Sequence, residues 1–568
     1  MAGQDERDAG DTSSADEAAR VRRLEALRRI ADGQLGAETA AGGELARGAG
    51  PERMPAAPRQ RAVRRGWLAL IGALVAVAVV VTGVILLPHL GPFPATGRAT
   101  PAATSALTGA GACVRANAHP KPPYENVRAS HDSFLAHSEP MLAEDPANPL
   151  HLVGGSKFFT DPARYRFQIG TFASFDGGCT WSDGGVLPSF ARGVITSDVS
   201  LAFGTRGEVY VAVLHDAPGG QSGISVSTSM DGGRTFGALV DVYSNAENRI
   251  FSDKPWMTVD WSNGPHRGAL DVVWSYQYGG DCGFGNACHQ ELAFAQSSDG
   301  GKTFSPPKLI EGSAPFCTNP AKGRAPDATL CDAAQGPIPL VTADGTLAVA
   351  FAYEDLMDER IPTRLLVVSS RDGGATWQPP ALAATVPDVA GAFPPNRYRN
   401  VTLPAFAASP DGAALYLAWA DKRNGTADVF FASSKDGGAT WSPSTRVNDD
   451  APHSGSYHFQ PQLAVAPGGV VTICWFDTRN DPQHRLIDVY LAQSSDGGAS
   501  FLPNVRVTTA SWDPAVDAPV DGGGAQFIGD YQGLAADDQL VHPFWNDTRT
   551  GAQEIFTAAV PSVAARHP

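Results

Sequence analysis

The octapeptide SKDGGATW at 434–441 returns five more times along the chain with small changes. SFDGGCTW stands at 174–181, SMDGGRTF at 229–236, SSDGGKTF at 297–304, SRDGGATW at 370–377 and SSDGGASF at 494–501. The composition of the octapeptide makes it a turn. The Asp accepts hydrogen bonds from amides just ahead of it, and the paired glycines supply positive φ without steric cost. The Ser or Thr hydroxyl closes the loop, and the terminal Trp or Phe packs beneath it. Each copy follows an apolar alternating run, such as Val429-Phe430-Phe431-Ala432 or Val489-Tyr490-Leu491-Ala492. The turn therefore reads as a corner between two strands. Its aspartates, at 176, 231, 299, 372, 436 and 496, are 55, 68, 73, 64 and 60 residues apart. A unit of that size with several strands predicts a β-propeller. With 61 glycines and 44 prolines, the chain does not suit a mainly helical fold.

The rest of each unit aligns on its turn, which joins the third and fourth strands. Unit six reads Pro461-Gln462-Leu463-Ala464-Val465, then Gly468-Gly469, then an apolar second strand ending at Trp475. A seventh unit begins near Phe527 and stops without a turn of this kind or a fourth strand. The missing strand is expected at the other end, since Asn126-Val127-Arg128-Ala129-Ser130 matches Asn504-Val505-Arg506-Val507-Thr508. An N-terminal strand completing the last blade leaves no open sheet edge. Seven blades of four strands are expected, with six blades and a partial sheet as the alternative.

Residues 66–87 form an unbroken apolar run of 22 residues. At the helical rise this is about 33 Å, enough to cross a bilayer. Six arginines (47, 53, 59, 61, 64 and 65) lie within 20 residues before it, and only Arg98 lies within 20 after. The positive-inside rule puts the N-terminus in the cytoplasm and the C-terminal mass outside the cell. The expected organisation is a mostly disordered tail over 1–65, a single transmembrane helix over 66–87, an extracellular stalk over 88–122 and a propeller over 123–568. Beyond residue 65 the chain carries 48 acids and 31 bases, which argues against nucleic acid as a partner. All seven cysteines follow the span, in a compartment where disulfides persist. Local bridges Cys282–Cys288 and Cys317–Cys331 are expected, together with Cys113–Cys179, while Cys474 inside an apolar strand reads as a buried free thiol. No spacing indicates a metal site, and no cofactor is expected.

The S-x-D-G-G-x-[ST]-[WF] turn resembles the Asp-box, or bacterial neuraminidase repeat, of the sialidase superfamily. The resemblance covers roughly residues 125–560. It implies boxes on the face away from the functional centre. It also implies three arginines that hold a sugar carboxylate, a Tyr–Glu nucleophile pair and an Asp general acid. The stretch where that family places its first arginine reads Ser138-Glu139-Pro140-Met141 here, with no arginine.

The opposite face, built from second-to-third strand turns and the loops leading into each first strand, is then where function is expected. Trp419-Ala-Asp421-Lys-Arg423, Trp475-Phe-Asp477-Thr-Arg479 and Trp545-Asn-Asp547-Thr-Arg549 share the pattern W-x-D-x-R. Arg423, Arg479 and Arg549, with Asp421, Asp477 and Asp547, are candidate ligand-binding residues, because guanidinium forks recognise a carboxylate. The competing reading is that each Asp and Arg caps its own turn and bridges to the next blade. Asp530 and Tyr531, leading into the seventh unit, are the candidate catalytic residues, with Tyr531 as nucleophile. A polar rim is expected from Arg249, Asp253, Lys254, Arg397, Tyr398, Arg399, His458 and Gln460, and Trp256 and Phe459 are candidate stacking residues. Two functional classes follow. One is a membrane-anchored extracellular glycoside hydrolase of exo-sialidase type; the other is a non-catalytic propeller that binds a glycan, glycoconjugate or protein.

Overall fold

The computed structural model describes residues 122–188, 194–217, 221–245, 250–278, 289–317, 329–353, 363–387, 389, 398–520 and 525–564. The expected tail, membrane span and nearly all of the stalk lie outside them, as do Cys113, Cys282, Cys288, Arg249 and Arg397. Among the described residues no helix is long and apolar enough to cross a membrane.

Among the described residues, seven antiparallel sheets make up the fold. Their inner strands are Leu135–Asp145, Ile195–Phe203, Ile250–Val259, Ala334–Val341, Ala405–Ala408, His458–Val465 and Gly533–Ala536. Numbered in this order, blades one to six each add three further strands in sequence. Blade seven continues through Leu540–Asp547 and Glu554–Ala558, and the latter pairs antiparallel with Asn126–Arg128. The pairing is reinforced where Ile555 N donates to Ser130 Oγ at 2.9 Å and Ala129 N to the Ile555 carbonyl at 2.8 Å.

Alternation along the second strands explains the packing between blades. Trp274, Trp419, Trp475 and Trp545 occupy corresponding positions near the ends of these strands, and all are fully buried. The Cys317–Cys331 disulfide forms as expected, with its Cα atoms 5.0 Å apart. Cys179 is also disulfide-bonded, to a partner outside the described residues. Cys474 is free and buried, and burial pushes its thiol up to about 12.

The six boxes repeat one hydrogen-bond scheme. In blade five, Ser434 Oγ donates to Asp436 Oδ1 at 2.8 Å and accepts from Gly438 N at 2.9 Å. Thr440 N donates to Asp436 Oδ1 at 2.9 Å, and its hydroxyl donates to Oδ2. Trp441 Nε1 caps the turn on the Gly438 carbonyl at 3.0 Å. These bonds, the threonine hydroxyl's first among them, hold the Asp436 carboxyl down at about 2. The second glycine of each box also meets the preceding blade. A Cβ on Gly374 would lie 2.4 Å from Phe294, and one on Gly498 would lie 2.2 Å from Phe431. The box is thus both a turn and a joint between blades.

Candidate functional site

The inner strands bulge where they enter the ring on the face opposite the boxes. Register breaks occur at Ser138–Met141, Ser197–Ser200, Asp253–Trp256, Gln335–Ile338 and Phe459–Gln462. Within them Glu139, Asp198, Lys254, Gly336 and Gln460 have φ between 49° and 58°. Four of these are non-glycine residues in the left-handed region, a conformation that costs energy and concentrates at functional sites. The bulges turn polar side chains towards the axis.

A buried charge cluster results. Asp530 accepts from Arg399 Nε at 3.0 Å on Oδ1, and from Arg399 Nη2 at 2.5 Å and Lys254 Nζ at 2.8 Å on Oδ2. Lys254 also lies 3.8 Å from Asp198, and Lys157 pairs with Glu139 at 2.6 Å. Burial pushes the Asp530 carboxyl up, but the Arg399 guanidinium and the Lys254 ammonium outweigh it and hold the group far below the usual range. For Glu139 and Asp253 burial wins over the lysines beside them, and both carboxyls move up. Tyr531, 4% exposed, packs edge-on against Trp256 at 5.5 Å. Burial and then the Glu139 charge raise its phenol well above the ordinary value. Lys254, Gln460, Asp530 and Tyr531 line an axial cavity of about 20 Å³. That is room for about one water.

The expected candidates separate in space. Asp530 and Tyr531 do reach the axis, together with Lys254 and Arg399 from the expected rim. The three W-x-D-x-R arginines do not join them. Each is held by its own aspartate, which is fully buried. Asp477 Oδ2 accepts from Trp475 Nε1 at 2.8 Å and Arg479 Nε at 2.9 Å, and Oδ1 accepts from Arg479 N at 2.8 Å. Arg479 then bridges to Asp449 at 2.7 Å and Asn504 at 3.0 Å, over the Tyr490 ring at 4.4 Å. Arg423 repeats this with Asp421, Ser444 and Phe430, and Arg549 repeats it with Asp547, Asn126 and Phe556. In the structure each of these side chains is engaged by its own turn and by the neighbouring outer strand, the arrangement of the competing reading. Arg479→Ala is expected to cost about 2 kcal/mol, allowing for partial exposure. Urea unfolding checks it, and an unchanged midpoint would refute the structural role. Phe459 is likewise fully buried, stacked on Tyr398 at 5.4 Å, and is unavailable to a sugar.

His458 also proves structural, at the seam of blades five and six. It lies 3.5 Å from Asp428, 3.3 Å from Asp450 and 3.6 Å from Asp477. Burial lowers its pKa, but Asp477, Asp428 and Asp450 more than offset this, so the net shift is upward despite Arg479. Protonated His458 therefore adds stability in full below about pH 6.5, the unfolded value. That stability fades as the pH rises through the higher folded value. His458→Gln should flatten this slope in thermal melts taken from pH 6 to 9. A slope retained in the variant would assign the dependence elsewhere.

The sequence reading missed an aromatic row on the same face as the axial cluster. Tyr243, Tyr276, Tyr278 and His289 are all half-buried. Successive ring centroids are 5.5, 5.5 and 4.7 Å apart, and Asn245 Nδ2 donates to Tyr243 Oη at 3.0 Å. The alternation Trp274-Ser275-Tyr276-Gln277-Tyr278 was the available signal.

Residues 271–512 match a family model described as a BNR repeat-like domain. That stretch of the propeller is similar to a BNR repeat-like domain. No curated protein matches it significantly. Similar solved structures include a protein of unknown function from Dyadobacter fermentans, at 15% identity and a TM-score of 0.42, covering 66% of this chain and 96% of that one. The NanB sialidase from Streptococcus pneumoniae gives 12% and 0.37, over 77% of this chain and 70% of that one. An alpha-L-arabinanase from Penicillium chrysogenum, in complex with arabinobiose, gives 11% and 0.39, over 78% and 99%. Among the described residues the propeller thus presents, opposite its boxes, a buried axial charge cluster and a half-buried aromatic row.

Proposed function

We propose that this chain is a glycan-recognising propeller, held outside the cell by one transmembrane helix over residues 66–87. The observation that carries this reading is the half-exposed row Tyr243–Tyr276–Tyr278–His289. Its rings and hydroxyls offer the apolar faces and hydrogen-bonding edges on which sugar rings pack. The axial cations support recognition over catalysis, because Arg399 and Lys254 are already paired to Asp530.

Hydrolysis of exo-sialidase type is the second reading. It is favoured by acids in one cluster whose protonation is pushed apart, with Asp530 held ionised while Glu139 and Asp253 rise. Tyr531 then serves as nucleophile, in a site that must open beyond its room for about one water.

One experiment separates the readings. The full-length chain is tested on a glycan array and on a fluorogenic sialoside beside a panel of other glycosides. Recognition predicts array binding that Tyr278→Ala weakens about tenfold, with no turnover. Turnover that Tyr531→Phe abolishes, with binding retained, would establish the enzyme instead. Silence in both assays would remove the glycan altogether.

A further inference from the structure

At the seam of blades three and four, several ligand-type side chains meet away from the axis. His289 and Glu291 lie two residues apart in the strand His289–Ser297, and so on one face of it. Asp332 comes from the segment that crosses to blade four, next to the Cys317–Cys331 disulfide. The donor atoms of the three residues lie within 4.8 Å of one another. His289 Nδ1 and Asp332 Oδ2 are 2.5 Å apart, and Asp332 Oδ1 accepts from Gln290 N at 2.6 Å. A third acid, Glu311, is buried next to them and accepts from Leu292 N at 3.0 Å.

Among the described residues the cluster is short of positive charge. Glu291 is 3% exposed. Its Oε1 accepts from Tyr278 Oη at 3.2 Å, but its Oε2 is buried and, among the described residues, has no hydrogen-bond partner. Among the described residues neither Lys nor Arg pairs with Glu291, Glu311 or Asp332, and His289 is the single basic group in contact. An uncompensated buried carboxylate is costly. A second cluster of similar composition, Asp428, Asp450 and His458, is different in this respect. Arg446 reaches Asp428 at 2.9 Å and Asp450 at 2.8 Å, and so supplies that cluster's counter-charge.

We propose that His289, Glu291 and Asp332 bind one divalent transition-metal cation, Zn²⁺ or Mn²⁺. One imidazole nitrogen with two carboxylates suits these ions, whereas Ca²⁺ and Mg²⁺ prefer all-oxygen sets. The site communicates with the axis. Gln290 Nε2 donates to Gln335 Oε1 at 2.6 Å, and Gln335 Nε2 donates to Asp253 Oδ2 at 3.3 Å. Sequence spacing gave no hint of it, because His289 and Asp332 are 43 positions apart.

The test uses full-length chain stripped with a chelator and titrated calorimetrically with Zn²⁺, Mn²⁺, Ca²⁺ and Mg²⁺, with thermal melts in parallel. One equivalent of Zn²⁺ or Mn²⁺ should bind and raise the Tm. Glu291→Gln and His289→Asn should each weaken binding at least tenfold. Stripped Glu291→Gln should melt no lower than stripped wild type, since it removes a carboxylate with an unpartnered oxygen. The proposal is overturned if neither Zn²⁺ nor Mn²⁺ binds, if Ca²⁺ or Mg²⁺ raises the Tm as much, or if both variants bind like wild type.

Discussion

Asp530→Asn is expected to destabilise the propeller by about 3–5 kcal/mol, the usual cost of stranding a buried charge. Three donor contacts from two cations end on this carboxylate. Asparagine keeps the shape but not the charge, so Arg399 and Lys254 would stay buried without their shared counter-ion. Lys254 would keep Asp198 at 3.8 Å, with Asp253 and Glu139 acting at longer range. Urea unfolding of the two proteins gives the difference directly. A loss below about 1 kcal/mol would mean that water reaches these cations, and the axis would have to be redrawn as open.

The second large effect is at a joint. Gly498→Ala is expected to cost about 3 kcal/mol, combining a left-handed backbone with overpacking. Gly498 has φ of 85°, and an added Cβ would sit 2.2 Å from the Phe431 ring in the preceding blade. Gly437→Ala is the matched control, with φ of 72° but nothing within 4 Å of the added atom. It should cost about 1 kcal/mol, the backbone share alone. Equal losses in the two variants would show that the box acts only as a turn and not as a contact between blades.

These residues also show what a linear reading can reach. The six boxes were legible because each closes within eight positions, so the residues that bond are neighbours in the text. Seven blades, with six as the alternative, came from adding a boxless seventh unit and an N-terminal strand to the six boxed units. Asp530 and Tyr531 were placed near the axis because they immediately precede an inner strand. Their partners were hidden. Lys254 pairs with Asp530 across 276 positions, and it reaches the axis only because a bulge with a left-handed residue turns it there. The recurring pairs Glu139-Pro140, Lys254-Pro255, Gly336-Pro337 and Gln460-Pro461 mark these bulges and could have been read as a second repeat. W-x-D-x-R was visible as a pattern, yet a pattern does not say whether an arginine faces a ligand or its own turn. The aspartate two residues back answers that locally, with hydrogen bonds from both the main chain and the side chain of Arg479.

The strand Asn126–Arg128 finds its partner in Glu554–Ala558, and Ser130 meets Ile555 across 425 positions. On a ribosome this fixes an order of events. The first strand of the propeller to be synthesised waits for nearly the last. At about 5–20 residues per second the wait is roughly 20–90 s. Throughout that interval the nascent chain carries one strand with no sheet to join, while the six boxed blades can assemble from neighbouring segments. A truncation that spares all six boxes but ends before residue 554 would leave that first strand without a partner for the life of the protein.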